Sequence, residues 1–226
     1  SWLKTLPQFA NTSEEFWGFL HNLRFTGDVF AMQEGTPVYS NEPLLAIRAP
    51  LIEAQLVETF LLATVSFQTM IATKASRLVK AAAGRPIVEF GTRRAHSPEA
   101  GLYAGRAAYI GGCTSTSNTL AGFRFGIPVV GTAAHSWVLS FKEEREAFSR
   151  LQNLLGDHCV QLVDTYDTLS GVRLAAELGK PLKGVRLDSG DLLKLSMQAR
   201  QILDEHGLKD VLIMATNDLD EGKVRD

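Results

Sequence analysis

The spacing of hydrophobic residues changes near residue 50 and divides the chain into two parts. Before that point, short apolar stretches alternate with glycine, proline and asparagine, which is typical of short strands joined by turns. After it, apolar residues recur three and four positions apart over a long stretch that ends near Gly84, as they do on one face of a helix. The pattern therefore predicts one domain over residues 1–50 and a second over residues 51–226.

The first part predicts one helix and a small antiparallel sheet. Residues 9–23 are helix-like, with capping residues at positions 11–13 and two glutamates in the first turn, where acidic groups favour the helix dipole. Three short apolar stretches follow, each bounded by turn residues. The predicted strands cover residues 27–31, 36–39 and 44–49.

The second part predicts alternating strands and helices. Short stretches that are apolar throughout are typical of parallel strands buried on both faces. They are residues 87–90, 128–131, 160–163, 184–187 and 211–215, with a turn or a further strand at 111–115. The predicted helices are residues 98–110, 117–125, 135–155, 168–178 and 191–206. Because the sequence has no dinucleotide-binding glycine fingerprint, we expect an α/β barrel rather than an open sheet.

Composition and charge narrow the class of protein. The chain has 226 residues, of which 45% are hydrophobic and 21% charged, so it is long and apolar enough to bury a sizeable core. Its net charge of −2 provides no overall field to attract nucleic acid or anionic lipid. Its uninterrupted apolar runs are far shorter than the roughly 20 residues of a membrane span. We therefore expect a soluble protein with neither nucleic acid nor membrane as a partner.

Cysteine content and the two ends of the chain add two expectations. Cys113 and Cys159 are the only cysteines, which excludes a disulfide framework and favours a reducing compartment, the cytoplasm. The sequence begins without a methionine or a signal-peptide pattern and stops just after an apolar run and an acidic turn. We expect it to be part of a longer protein, truncated at both ends.

Polar residues cluster directly after several predicted strands. Functional groups of parallel α/β folds gather at the carboxyl ends of the strands. Taken singly, Asp164 and Asp191 could be helix caps and His135 a hydrogen-bonded core residue. That explanation does not account for arginine, histidine and carboxylates recurring at successive strand ends. The clusters are residues 91–96, 131–136, 164–167 and 186–191.

The chemistry of these clusters suits a phosphorylated sugar. Arginine binds phosphate or carboxylate through paired N–H groups, and residues 111–118 are rich in glycine and hydroxyls that suit anion binding at a helix N-terminus. Carboxylates can hold Mg²⁺ or ribose hydroxyls. The sequence lacks the motifs of a P-loop kinase, a zinc protease and an α/β-hydrolase, which disfavours these classes.

At these residues the sequence closely resembles the nicotinate phosphoribosyltransferase family. The matching motifs keep their order and spacing, and the resemblance covers nearly the whole chain. They are Phe25-Thr26-Gly27-Asp28, Asn41-Glu42-Pro43-Leu44, Glu89-Phe90-Gly91-Thr92-Arg93-Arg94, residues 112–122, Gly131-Thr132-Ala133-Ala134-His135-Ser136, Asp164-Thr165-Tyr166-Asp167 and residues 185–191.

The resemblance implies a reaction and a fold. Nicotinate and 5-phosphoribosyl-1-diphosphate would give nicotinate mononucleotide and diphosphate, helped by ATP hydrolysis, in NAD biosynthesis. The implied fold is an irregular parallel α/β barrel of the type II phosphoribosyltransferases, with part of an N-terminal open-faced β-sandwich domain. It further implies Mg²⁺ as cofactor, ATP as co-substrate and a homodimer. The implied enzyme classes are ligase and glycosyltransferase.

The resemblance also assigns roles to individual residues. His135 would be phosphorylated by ATP, and the acid groups Asp164 and Asp188 would act in catalysis. Asn118 matches a position where nicotinamide enzymes carry an aspartate, so the neutral residue favours the acid substrate. Asp167 is the candidate magnesium ligand. The other predicted substrate-binding residues are Phe90, Arg93, Arg186, Ser189 and Gly190.

Two alternatives remain open from the sequence. Within the same class, the substrate could be nicotinamide or quinolinate, although the two carboxylates of quinolinate would need additional cationic groups. From a different class, the chain could be a catalytically silent barrel that binds nucleotide or a protein partner. The presence of His135, Arg186 and Asp188 together argues against the silent barrel.

Overall fold

A computed structural model describes residues 2–225 of the chain. The structure divides into two compact units between Met70 and Ile71. This division lies within helix α2, Leu51–Ala81, whose first residue follows the predicted domain boundary at residue 50. The predicted domains, residues 1–50 and 51–226, stay a prediction.

The first unit contains helix α1 and strands β1 and β2. The hydroxyl of Ser13 accepts the N–H of Phe16 and caps α1, Glu14–Asn22. The helix predicted over residues 9–23 is therefore too long at its start, because the cap fixes the first turn at Glu14. Strands β1, Asp28–Ala31, and β2, Leu45–Arg48, pair in an antiparallel manner as predicted.

The strand predicted at residues 36–39 is wrong. Pro37 has no N–H to donate to a ladder. The N–H of Thr36 closes a turn on the carbonyl of Gln33, and the N–H of Tyr39 donates to the carboxylate of Glu42 at 2.8 Å. Local bonds to a turn and a side chain replace strand pairing here.

Helix α2 is the longest element of the structure. Among residues 2–225, α2 is long and apolar enough to cross a membrane, judged by length and composition alone. The core helix of a soluble protein meets the same two criteria. The absence of a membrane partner therefore stays an expectation.

The second unit contains two parallel sheets. Strands β3, Val88–Glu89, and β4, Ser115–Thr116, form the first, and a single bridge joins Thr116 to Val129. The second sheet has the order β5–β6–β7. The predicted α/β class with parallel strands is confirmed, whereas closure into one barrel stays a prediction. The strands of the second sheet are β5, Val160–Leu162, β6, Gly184–Leu187, and β7, Leu212–Ala215.

Helices follow the strands of both sheets. Those after the first sheet are α3, Pro98–Ile110, and α4, Thr119–Phe125, and these are followed by α5, His135–Leu139, and α6, Glu144–Leu155. Those of the second sheet are α7, Thr168–Leu178, α8, Leu192–Glu205, and α9, Glu221–Arg225.

Two further predictions are corrected by the structure. Residues 128–131 do not form a full strand, because Pro128 lacks an N–H and β4 offers only two residues to pair with. The single helix predicted over residues 135–155 is divided into α5 and α6. Helix α5 ends before Ser140, whose hydroxyl donates to the carbonyl of Trp137 and competes with the helical pattern.

A buried apolar core fixes the strand ends of the second sheet. Its fully buried members include Val163, Val172, Val185 and Leu187. A Cβ atom at Gly171 would lie 2.1 Å from the carbonyl oxygen of Val163, so glycine permits α7 to approach the end of β5. This close packing sets the position of the residues between β5 and α7.

Candidate active site

Arg186 is the centre of a polar network at the carboxyl ends of the strands. Its neighbours in β6, Val185 and Leu187, are fully buried in the core, so alternation along the strand places Arg186 on the opposite face. Its side chain is only 14% exposed. Nη2 donates to Oδ1 of Asp188 at 2.6 Å, Nε to Oγ1 of Thr216 at 3.0 Å and Nη1 to Oγ1 of Thr132 at 2.8 Å. The guanidinium is therefore held from three sides.

His135 is the first residue of α5 and contacts two other segments. Its Nε2 lies 3.5 Å from Oδ2 of Asp188, and its Nδ1 lies 3.2 Å from Oγ1 of Thr165. Its side chain is 41% exposed. The imidazole is thus oriented by both ring nitrogens and remains accessible to a reactant.

The surroundings of Asp188 favour its ionised form. Burial by itself would raise the pKa of this carboxyl group. Hydrogen bonds from Thr216, Arg186 and His135, with the charge of Arg186, outweigh burial and hold the pKa below its ordinary value of 3.8. Asp188 is therefore negatively charged at neutral pH.

Asp164 follows β5 and connects it to the end of β6. Its Oδ2 accepts the backbone N–H of Asp188 at 2.9 Å and the hydroxyl of Ser189 at 2.6 Å. Its Oδ1 is buried and has no hydrogen-bond partner in the described part of the chain. Gly190, with a φ of +78°, allows the turn that follows Ser189. This carboxylate therefore has one oxygen that connects β5 to the end of β6 and one buried oxygen without a partner in the described residues.

The end of β3 reaches the same network through an aromatic ring. The guanidinium carbon of Arg186 lies 5.8 Å from the ring centroid of Phe90, a cation–π distance. Arg93 lies in the 3₁₀ turn Thr92–Arg94, is exposed, and has no hydrogen bond or ion pair among residues 2–225. Arg94 instead pairs with Asp218. Of these two arginines, Arg93 is the one without an acidic partner in the described residues, which suits anion binding.

Asn118 caps α4 and contacts the turn after β3. Its Oδ1 accepts the N–H of Ala121 at 2.9 Å, and its Nδ2 donates to Oγ1 of Thr92 at 3.2 Å. A neighbouring carboxylate, Glu89, accepts the hydroxyl of Thr116 and the N–H of Gly91. These bonds hold the turn that carries Phe90 and Arg93.

Asp167 is placed differently from the other predicted residues. It is exposed and caps α7, with Oδ1 accepting the N–H of Ser170 at 2.8 Å. Hydrogen bonds from the side chain and the backbone of Ser170 lower the pKa of Asp167. Within residues 2–225, no group of three His, Cys, Asp or Glu side chains is arranged to hold a metal ion. Its role as a magnesium ligand stays a prediction.

The structure therefore brings most of the predicted residues together. Phe90, His135, Asp164, Arg186, Asp188 and Ser189 form one chain of contacts. Sequence reasoning missed three threonines of this network. Thr132 and Thr165 lie inside the motifs 131–136 and 164–167. Thr216 directly follows β7, and the gathering of functional groups at the carboxyl ends of parallel strands could have identified it. Thr132 and Thr216 accept hydrogen bonds from Arg186. Thr165 is hydrogen-bonded to His135.

The arrangement suits chemistry on an anionic substrate. Arg93 and Arg186 provide positive charge, and Asp188 provides an ionised carboxylate that can stabilise a developing positive charge. His135 provides an imidazole that can act as a nucleophile or move a proton. An aromatic ring, Phe90, lies beside this group and can stack on a planar substrate.

Two family models match the chain. The nicotinate phosphoribosyltransferase (NAPRTase) N-terminal domain matches residues 1–66. The nicotinate phosphoribosyltransferase (NAPRTase) family matches residues 86–215, which contain all the predicted site residues.

Curated relatives of the chain are named nicotinate phosphoribosyltransferase. A nicotinate phosphoribosyltransferase of Mycobacterium tuberculosis is 48% identical over 229 residues, which cover 99% of this chain and 49% of the relative. The enzyme of Bacillus subtilis is 49% identical over 199 residues, which cover 85% of this chain and 40% of the relative. The chain thus spans about half the length of the curated relatives it matches.

Solved structures have a similar fold. Human nicotinic acid phosphoribosyltransferase matches with a TM-score of 0.88 and 30% identity, over 99% of this chain and 57% of that chain. Nicotinate-nucleotide pyrophosphorylase of Pyrococcus furiosus matches with a TM-score of 0.83 and 34% identity, over 89% of this chain and 54% of that chain. The observed fold is therefore the one found in these enzymes.

Proposed function

The chain belongs to the nicotinate phosphoribosyltransferase family, and on this basis we propose that its protein makes nicotinate mononucleotide. The substrates are nicotinate and 5-phosphoribosyl-1-diphosphate, and diphosphate leaves in a step of NAD biosynthesis. The observation that carries the proposal is the contact between Arg186, Asp188 and His135 within the matched region.

The predicted binding residues divide between the two ends of the substrate pair. Phe90 would stack on the pyridine ring of nicotinate. Arg186, whose guanidinium carbon lies 5.8 Å from the ring centroid of Phe90, would meet the carboxylate of nicotinate. Arg93 is exposed and unpaired within residues 2–225, which suits a phosphate or carboxylate group. Ser189 and Gly190 would lie against the ribose.

Bond exchange takes place at C1 of the ribose. The bond from C1 to the diphosphate oxygen breaks, the diphosphate leaves with the electron pair, and the pyridine nitrogen forms the new bond to C1. Positive charge develops on the ribose as this happens. The ionised Asp188, with Asp164 beside it, would stabilise that charge.

His135 would couple the reaction to ATP. One imidazole nitrogen attacks the γ-phosphorus, the bond to the ADP oxygen breaks, and water later releases the phosphoryl group as phosphate. The contacts of both ring nitrogens, with Thr165 and Asp188, would hold the ring in place for this transfer. This step places the enzyme among the ATP-dependent ligases as well as the glycosyltransferases.

Two carboxylates of this site, Asp164 and Asp167, suit Mg²⁺. Mg²⁺ is bound through one or two carboxylates together with substrate phosphates and water, so a cluster of three protein ligands is not required. Asp164 has a buried oxygen without a partner in the described residues, and Asp167 lies three residues later, at the start of α7. These two would hold the ion, which neutralises charge on the leaving diphosphate when bound.

We also infer a cytoplasmic homodimer. Cys113 and Cys159 are both buried and unpaired as thiols, which agrees with a reducing compartment. The homodimer rests on the family resemblance. Sedimentation of the full-length protein measures its subunit number.

The test compares three pyridines in parallel. Full-length protein with phosphoribosyl diphosphate and Mg²⁺ is given nicotinate, nicotinamide or quinolinate, each with and without ATP. We expect nicotinate mononucleotide chiefly from nicotinate, and faster with ATP. Preference for nicotinamide or quinolinate would establish the alternative substrate. No product from any of them, in a folded protein, would favour the silent nucleotide-binding barrel.

A further inference from the structure

Thr216, which follows β7, contacts two charged side chains of the candidate site, Arg186 and Asp188. Its backbone N–H donates to the carbonyl of Leu187 at 2.9 Å, which continues the pairing of β6 with β7. Its Oγ1 lies 3.0 Å from Nε of Arg186 and also contacts Oδ1 of Asp188. The hydroxyl therefore stands between a guanidinium and a carboxylate of the neighbouring strand.

The direction of these hydrogen bonds follows from the atoms involved. A threonine hydroxyl donates one hydrogen and accepts through two lone pairs. Nε of Arg186 can only donate, so the oxygen of Thr216 accepts there. Its own hydrogen faces Oδ1 of Asp188 and the carbonyl of Leu187, 3.1 Å away. The carboxylate is the stronger acceptor because it is charged.

These bonds determine which carboxylate oxygen is available. Oδ1 of Asp188 accepts from both Thr216 and Nη2 of Arg186. Oδ2 remains, and it faces Nε2 of His135 at 3.5 Å. The two hydrogen bonds to Oδ1 fix the plane of the carboxylate, so they also orient Oδ2 towards His135.

The backbone after Thr216 is held in an unusual conformation. Asn217 and Asp218 have φ values of +90° and +39°, in the positive-φ region that asparagine and aspartate adopt more readily than other non-glycine residues. Asp218 pairs with Arg94, from the turn after β3. Thr216 is thus fixed by strand pairing on one side and by an anchored turn on the other.

We propose that Thr216 is a positioning residue that holds the Asp188 carboxylate in its working orientation for the reaction at ribose C1. This inference rests on the proposed function. Thr216 would not touch the reacting atoms and would act through Asp188. Because Asp188 stabilises charge that develops in the transition state, losing its orientation lowers kcat more than it raises KM.

Thr132 offers a matched control in the same network. Its hydroxyl accepts from Nη1 of Arg186 at 2.8 Å, and it makes no hydrogen bond to Asp188 in the described part of the chain. Thr216→Val and Thr132→Val each remove one hydroxyl that accepts from Arg186. Only Thr216→Val also removes a donor to Asp188.

The experiment measures kcat and KM for nicotinate on the full-length protein, with saturating phosphoribosyl diphosphate, Mg²⁺ and ATP. Thr216→Val is expected to lower kcat about 10- to 100-fold, the loss typical of one hydrogen bond to a charged group. Thr216→Ser keeps the hydroxyl and should restore kcat to within about threefold. Thr132→Val should mainly raise KM, through Arg186. Thermal unfolding checks each variant, and Thr216→Ala replaces Thr216→Val if the latter does not fold.

The outcomes separate this inference from the function on which it rests. An active wild type with unchanged kcat in Thr216→Val overturns the role of Thr216 alone. Equal losses of kcat in Thr216→Val and Thr132→Val also overturn it, because the effect would then come from Arg186. Failure of Thr216→Ser to restore kcat does the same. A folded wild type that forms no nicotinate mononucleotide overturns the proposed function and this inference together.

Discussion

The carboxylate of Asp164, at the end of β5, accepts the backbone N–H of Asp188, at the end of β6, at 2.9 Å. The same oxygen accepts the hydroxyl of Ser189. The second oxygen of Asp164 is buried and has no partner within residues 2–225. Because a buried acceptor without a partner costs free energy, this oxygen is the one assigned to Mg²⁺ in the proposed function.

Replacing Asp164 should separate these two roles. Asp164→Asn keeps an oxygen that can accept from Asp188 and Ser189, so its unfolding free energy should stay within about 1 kcal/mol of the wild type. Asp164→Ala loses both bonds and should be less stable by about 1–3 kcal/mol. Urea unfolding measures both values.

Turnover of the same variants tests the ligand role of Asp164. The amide of Asp164→Asn is neutral, so this folded variant should lose at least about 90% of its nicotinate turnover, a loss equivalent to roughly 1.4 kcal/mol. Wild-type turnover in Asp164→Asn would show that the carboxylate serves only to connect β5 and β6.

Elements with local signals could be predicted from the sequence. The helices predicted over residues 98–110 and 168–178 are observed with those limits, because Ser97 and Asp167 cap them through bonds to residues three positions on. The division between α5 and α6 was missed. It involves Ser140, whose bond to the carbonyl of Trp137 leaves no trace in hydrophobic spacing.

The site could be predicted in outline for a different reason. His135, Asp164 and Asp188 all follow parallel strands or strand-like segments, and such ends meet at one edge of a fold. The same rule points to Thr216, which directly follows β7, but it does not predict which side chains the hydroxyl of Thr216 contacts. Its hydroxyl matters because β7 pairs beside β6 and faces Arg186, which is a tertiary relationship between residues 30 apart.

Asn118→Asp should shift substrate preference without disturbing the fold. Aspartate caps helices as well as asparagine does, so the bond to the N–H of Ala121 should survive, while the donor to Thr92 is lost. A carboxylate repels nicotinate and can accept from the amide of nicotinamide. The ratio of kcat/KM for nicotinate over nicotinamide should fall about tenfold or more, an effect of roughly 1.4 kcal/mol.

Asn118→Ala is the matched control for that substitution. It removes the cap without adding charge, so it should lower the unfolding free energy by about 1 kcal/mol and leave the order of preference unchanged. An equal shift of preference in both variants would contradict the charge argument.

The two cysteines should be unreactive in the folded protein. Burial raises the pKa of Cys113 to about 11, with the charge of Glu89 adding to it, and burial raises that of Cys159 to about 11. At pH 8 only about one thiol in a thousand is then ionised. A disulfide reagent at pH 8 should label neither thiol in buffer and both in urea, and rapid labelling of the native protein would contradict this.

These thiols also predict how stability changes at alkaline pH. A pKa that is higher in the folded state means that the folded protein favours the protonated thiol. The resulting stability is present below the ordinary value of 9.0 and is lost as pH rises towards about 11. Replacing both residues with serine should reduce the fall in unfolding free energy over this range, as measured by urea unfolding at several pH values. An unchanged slope would contradict the assignment to these thiols.

His135→Ala should uncouple the reaction from ATP. Removing the imidazole removes the group that would accept the phosphoryl transfer, while Arg186 and Asp188 keep their mutual bond at 2.6 Å. We expect the variant to retain some ATP-independent nicotinate turnover and to lose both ATP stimulation and nicotinate-dependent ATP hydrolysis. His206→Ala is the control, because His206 contacts the carbonyl of Ile202 at the end of α8 and should leave ATP stimulation unchanged. A His135→Ala enzyme still fully stimulated by ATP would show that another group accepts the phosphoryl transfer.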